Sequence, residues 1–144
     1  MKRTTYVLLL FTTLGIATLL SCKKENDFYE VGKQPVTLTY PIQDTLVTIN
    51  RAKMDSLYRF NWTTKRNFID FNLLFSKDKS SINNAIKLPT GIKRDFYITG
   101  TDLDQILAGF DIQIGQKATL YWSVQVINPE AGWCDEVRTL NIVR

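Results

Sequence analysis

An all-β sandwich is the fold this sequence predicts, and three observations predict it. Apolar and polar residues alternate with a period of two over several separate stretches, polar turns divide those stretches, and only one short stretch carries a helical signature. Strands so patterned bury one face each, and two sheets packed face to face satisfy them all.

The first candidates along the chain are short: Val36 to Tyr40 and Leu46 to Ile49. In Ser56 to Thr64, Tyr58, Phe60 and Trp62 share one parity while Arg59, Asn61 and Thr63 share the other, the mark of a half-buried strand. Asn67 to Phe75 repeats the pattern, with Ile69, Phe71, Leu73 and Phe75 on one face and Asp70 and Asn72 on the other. Phe68 and Leu74 interrupt the polar face, which predicts cover on both sides at the strand ends. Phe96 to Thr99 is a further short strand.

The helical exception follows. Thr101 places a hydroxyl N-cap three residues before Asp104, and Gln105 to Ala108 then run to a stop at Gly109. Leu103, Ile106 and Leu107 share one apolar face, so this helix is expected to lid an edge of the sandwich. Ala118 to Ile127 is the penultimate strand, with Leu120, Trp122, Val124 and Val126 inward and Thr119, Tyr121, Ser123 and Gln125 outward. Val137 to Val143 closes the fold through Leu140 and Ile142. About seven strands, with one short helix before the penultimate strand, fit an immunoglobulin-like or fibronectin type III-like sandwich.

Residues 1–21 are not part of that fold. Lys2 and Arg3 precede a mostly apolar run from Tyr6 to Leu20, shorter than the roughly 20 residues a membrane-crossing helix needs, so the segment reads as a secretory signal. It ends in Leu19-Leu20-Ser21-Cys22, which resembles the lipobox of bacterial lipoproteins. That resemblance implies cleavage before Cys22, diacylation of its thiol and acylation of the new amino terminus. Each buried methylene contributes about 0.8 kcal/mol, so several chains tether a protein stably without a spanning helix. Residues 22–34 then form a lipidated cysteine with its tether, and 35–144 the sandwich domain. Lys23, where inner-membrane lipoproteins commonly carry aspartate, favours the outer membrane; the charged run Lys23 to Asp27 is similar to lysine-plus-acid surface-export tags.

Further pieces resemble one family. Pro35-Val36-Thr37-Leu38-Thr39-Tyr40-Pro41, Phe60-Asn61-Trp62, Ile98 to Leu107, and Leu120-Tyr121-Trp122-Ser123-Val124-Gln125-Val126 are similar to the N-terminal domain of SusE-type outer-membrane lipoproteins, over nearly all of residues 35–143. The resemblance implies a place in glycan uptake, as a spacer or docking module beside an outer-membrane transporter and a SusD-like lipoprotein. Asp104 stands where the family more often has asparagine, with its capping role expected to be kept. The glycan-holding domains that usually follow have no counterpart before Arg144, so their residues cannot be carried over.

The search for chemistry excludes more than it finds. The sequence has no histidine, which removes the commonest general base and rules out Ser-His-Asp and Cys-His arrangements. Asp102 with Asp104 sits at a helix start and Asp135 with Glu136 in a loop, and neither is flanked by features that would set two carboxyls across a cleft. No phosphate-cradling glycine loop or metal-spaced cysteine pair appears, so no enzyme activity, cofactor or metal is expected. Two of the eighteen Lys and Arg residues fall in residues 1–21, leaving sixteen against fourteen acids, which is not the balance of a nucleic-acid binder.

With Cys22 committed to lipid, Cys134 has no disulfide partner; it is either a small buried hydrophobe or a free loop thiol. It lies in Asn128 to Glu136, the strongest local candidate for contact. Two roles fit Trp133 there. It stacks on a sugar ring with Asp135 or Glu136 accepting hydroxyls, which would make the chain a free-standing carbohydrate-binding module, or it folds back with Cys134 over the sandwich end. Tyr121, on outward parity, is a second candidate for glycan contact.

Overall fold

The computed structural model describes residues 33–67 and 69–144. The readings of residues 1–32, Cys22 among them, and of Phe68 lie outside the described residues.

In chain order the elements are β1 (Gln34–Pro35), β2 (Thr37–Tyr40), β3 (Thr45–Thr48), β4 (Leu57–Thr63), β5 (Phe71–Ser76), a 3-10 helix (Lys79–Asn84), β6 (Ile86–Gly91), β7 (Asp95–Thr99), α1 (Gly100–Gly109), β8 (Lys117–Val126), β9 (Gly132–Trp133) and β10 (Arg138–Val143). One sheet has the order β2-β4-β7 and the other β3-β10-β8-β5-β6. All their pairings are antiparallel except that of β3 with β10. The chain passes from the first sheet to the second between β2 and β3, between β4 and β5, and through α1 between β7 and β8. This is the predicted sandwich of immunoglobulin-like type.

Alternation explains the core. Phe60 and Trp62 of β4 are each 1 % exposed, and they face Phe71 and Phe75 of β5 and Trp122 of β8, each 0 % exposed. Phe60 meets Phe75 and Trp122 edge-on, with ring centroids at 5.2 and 5.3 Å, and Trp62 meets Phe71 at 5.7 Å. These contacts join the two sheets, and each edge-on pair adds about 1 kcal/mol to the burial of its rings. The Nε1 groups of Trp62 and Trp122 are buried without a partner among the described residues. Burial of the rings outweighs that cost, roughly 1–3 kcal/mol for each donor.

The structure differs from expectation at three places, β6, the start of β5 and the helix cap. A strand at Ile86–Gly91 was not anticipated: Ile86, Leu88 and Thr90 alternate, yet Pro89 and Gly91 make the stretch look like a turn. Proline is tolerated because β6 is an edge strand. The strand expected from Asn67 begins at Phe71, although Ile69 is buried all the same. Leu74, 6 % exposed on the outer face of β5, is covered there by the 3-10 helix, in line with the predicted two-sided cover.

The helix cap also shifts. Thr99, not Thr101, is the N-cap, and its Oγ1 accepts from the Asp102 N–H at 3.1 Å. Gly100 decides this: a Cβ there would lie 2.9 Å from the Met54 carbonyl oxygen, so the turn that hugs the β3–β4 connection must begin at a glycine. Asp104 therefore does not cap. Its carboxylate accepts from Arg144 Nε and Nη2 at 2.8 and 3.1 Å and from Arg51 Nη2 at 2.6 Å, tying α1 to the end of β10. These arginines hold the Asp104 carboxyl below the usual carboxylate range, the Arg144 hydrogen bonds contributing most. Leu103, Ile106 and Leu107 are buried against the core as their spacing predicts.

Candidate functional site

The loop before β10 is shaped by a close approach of two backbones. β1 and β9 pair in parallel, Gln34 beside Gly132 and Pro35 beside Trp133. The Gln34 N–H donates to Ala131 O at 3.3 Å and the Val36 N–H to Trp133 O at 2.8 Å. A Cβ on residue 132 would lie 2.3 Å from the Gln34 carbonyl oxygen, so only glycine permits the pairing. The loop thus clamps the first described residues of the chain onto the sandwich.

That clamp sets the position of Trp133. Trp133 is 37 % exposed, with the Lys33 ammonium 5.6 Å from its ring centroid, within cation–π range. It borders a surface cavity of about 370 Å³ over the outer face of the five-stranded sheet. Leu74, Ile82, Ser123, Gln125, Cys134 and Asp135 also line it. Asp135 is exposed and shares this cleft with the indole.

Glu136 is elsewhere. Its Oε2 accepts from the Leu38 N–H at 2.9 Å and its Oε1 from Arg138 Nε at 2.6 Å, while Arg138 Nη2 and Nη1 donate to the carbonyls of Leu38 and Pro41 at 2.5 and 3.0 Å. Leu38 N–H and C=O point away from β4 and would otherwise be an open sheet edge. Glu136, just before β10, and Arg138, its first residue, supply the partners a neighbouring strand would give. The carboxylate is engaged in this clasp between the sheets rather than turned to the Trp133 cleft.

Cys134 is half-buried, packs against the core, and lies 3.8 Å from Ser123 Oγ and 3.7 Å from the Glu136 carbonyl. Burial pushes the Cys134 thiol above its ordinary range. Tyr121 is partly exposed on outward parity, opposite Thr139 of β10, and does not line the Trp133 cleft. The structure therefore joins Trp133 and Asp135 but separates Glu136 and Tyr121 from them. Among the described residues no cluster of three or more Asp, Glu or Cys side chains could hold a metal ion, and no helix is long and apolar enough to cross a membrane.

Fold and loop together define an immunoglobulin-like sandwich module whose chain entry adjoins a surface cleft. A family model described as SusE outer membrane protein matches residues 23–125, and the chain belongs to that family. Members are outer-membrane, non-catalytic components of glycan utilisation. The match ends within β8, so Trp133, Asp135 and Glu136 lie beyond it. No curated protein sequence and no solved structure matches the chain.

Proposed function

We propose that this chain is a non-enzymatic lipoprotein of the outer membrane, acylated at Cys22, whose sandwich acts as a spacer or docking module in glycan capture. Family membership supplies the process. The observation that carries the role is the clamp at the chain entry. Lys33 to Val36 are fixed against β9 only eleven to fourteen residues after Cys22, so an anchor there would hold a rigid body on a short leash.

Palmitate labelling of cells making wild type or Cys22→Ala tests the anchor, and equal labelling of the two would overturn it. Docking is tested by co-purification from solubilised outer membranes. A transporter or a SusD-like lipoprotein should accompany the protein, and recovery of the protein alone counts against docking.

The exposed indole of Trp133 beside Asp135 favours a second reading, a free-standing carbohydrate-binding module. Affinity electrophoresis in polysaccharide gels separates the two. Retardation abolished by Trp133→Ala supports the module, and mobility indifferent to that change removes it.

A further inference from the structure

On the opposite outer face, that of the three-stranded sheet, two tyrosines flank an ion pair. Tyr40 of β2 and Tyr97 of β7 are 45 % and 48 % exposed. Arg59 of β4 stands opposite Tyr97, and Tyr40 stands opposite Asn61, two residues further along β4. Arg59 donates to Asp95 through Nε at 2.7 Å and Nη2 at 3.0 Å, leaving Nη1 without a hydrogen bond among the described residues. The Tyr97 hydroxyl lies 3.4 Å from Asp95 Oδ2, and Thr39 donates to the Asn61 side chain. Two strand spacings of about 4.8 Å, with a two-residue offset at about 3.4 Å each, separate the tyrosine backbones by roughly 12 Å.

We propose that this face binds an uncharged polysaccharide chain laid across β2, β4 and β7. Sugar rings stack on Tyr40 and Tyr97, and hydroxyls between them accept from Arg59 Nη1 and donate to Asp95. Charge selects the ligand class: Arg59 and Asp95 neutralise each other, so the face attracts neither a polyanion nor a polycation. Its composition argues against a protein partner. An interface core is apolar and poor in charge, whereas Thr39, Arg59, Asn61 and Asp95 lie between these tyrosines, and the apolar side chains near them, Leu57 and Pro41 beside Tyr40 and Leu88 and Pro89 beside Tyr97, sit at the margins of the face. The span between the rings requires a chain of several sugars, because one monosaccharide reaches only one tyrosine. The inference rests on the glycan-capture reading above but uses a surface separate from the Trp133 cleft.

The test is affinity electrophoresis of the detergent-solubilised, full-length protein in gels containing mixed-linkage β-glucan, glucomannan, amylopectin or polygalacturonate. Wild type should be retarded in at least one of the three neutral polymers and not in polygalacturonate. Tyr40→Ala and Tyr97→Ala should each weaken retardation about tenfold, the difference that 1.4 kcal/mol makes. The double variant should abolish it, while Tyr97→Phe and Trp133→Ala keep it. Free wild-type mobility in all three neutral gels overturns the proposal, as does retardation that Trp133→Ala removes and the tyrosine variants leave intact. Partner recovery from outer membranes, measured on the same proteins, reports on docking independently. If the double variant loses its partner but keeps its retardation, the face belongs to a protein and the proposal falls.

Discussion

Gly132→Ala isolates the clamp at the chain entry. The added methyl would sit 2.3 Å from the Gln34 carbonyl oxygen, a backbone atom that cannot swing aside, so β1 must move off β9. Two hydrogen bonds are then at risk, one of them long at 3.3 Å, and together they contribute about 1–2 kcal/mol. Val36, 4 % exposed behind the pair, loses part of its burial, which for a whole valine side chain is worth about 1.5–2 kcal/mol. A loss of about 2 kcal/mol follows, or a fall in Tm of roughly 8 °C for a domain of this size. Because the opening is local, amide exchange at Val36 should accelerate about 30-fold while exchange in β5 and β8 shifts only with global stability. Gly115→Ala is the control. Gly115 has φ +81° and open space around a Cβ, so alanine there costs about 1 kcal/mol through conformation alone and should not single out Val36. Unchanged Val36 exchange in Gly132→Ala, read by hydrogen–deuterium exchange mass spectrometry, would refute the clamp.

Three more outcomes follow from the polar contacts. Asp104→Asn should cost about 1–2 kcal/mol near neutral pH, since Asp104 and Arg144 are only 19 % and 13 % exposed. The folded-state carboxyl titrates below its unfolded value, so that stability is present above the unfolded value and lost as pH falls through the folded one. Urea titrations should show the two proteins converging as pH falls below the ordinary aspartate value of about 4, and a gap that persists in acid would count against the assignment. Glu136→Ala strands the Leu38 N–H and Arg138 Nε, so Tm should drop by roughly 8 °C, for about 2 kcal/mol, with any glycan retardation intact. Loss of retardation without loss of Tm would instead return Glu136 to a binding role. Iodoacetamide should label Cys134 at least about tenfold more slowly in the native protein than in urea at pH 7.5, by peptide mass mapping, because burial disfavours its thiolate. Equal rates would mean an open loop thiol.

Period-two alternation placed Phe60, Trp62, Trp122 and Leu140 inside because burial on one face of a strand leaves that periodicity in the residues themselves. It could not find β6, where the proline that marks an edge strand also marks a turn. The helix start was ambiguous for a different reason. Thr99-Gly100-Thr101-Asp102 and Thr101-Asp102-Leu103-Asp104 both pair a hydroxyl with an acid three residues on, and what separates them is the Met54 carbonyl, forty-six residues before Gly100. Local signals name an element; contacts distant in sequence settle its register.

The same limit governs the surface. Asp135 and Glu136 look like one acidic pair, but neighbouring residues in extended backbone point to opposite sides, so one carboxylate meets the cleft and the other the edge of β2. Conversely, Tyr40, Arg59 and Tyr97 share no motif, and only the order β2-β4-β7 sets them side by side. Their position also bears on function. Trp133 sits where the chain enters the fold, with Lys33 against its ring and Gly132 locked to Gln34, so a polymer stacked there must share space with the protein's own entry segment. The tyrosine face lies on the other outer side of the sandwich, clear of that clamp. If the protein is anchored through its entry segment as proposed, this face would stay free for a long chain, and Trp133 is better placed to brace the clamp than to hold such a chain.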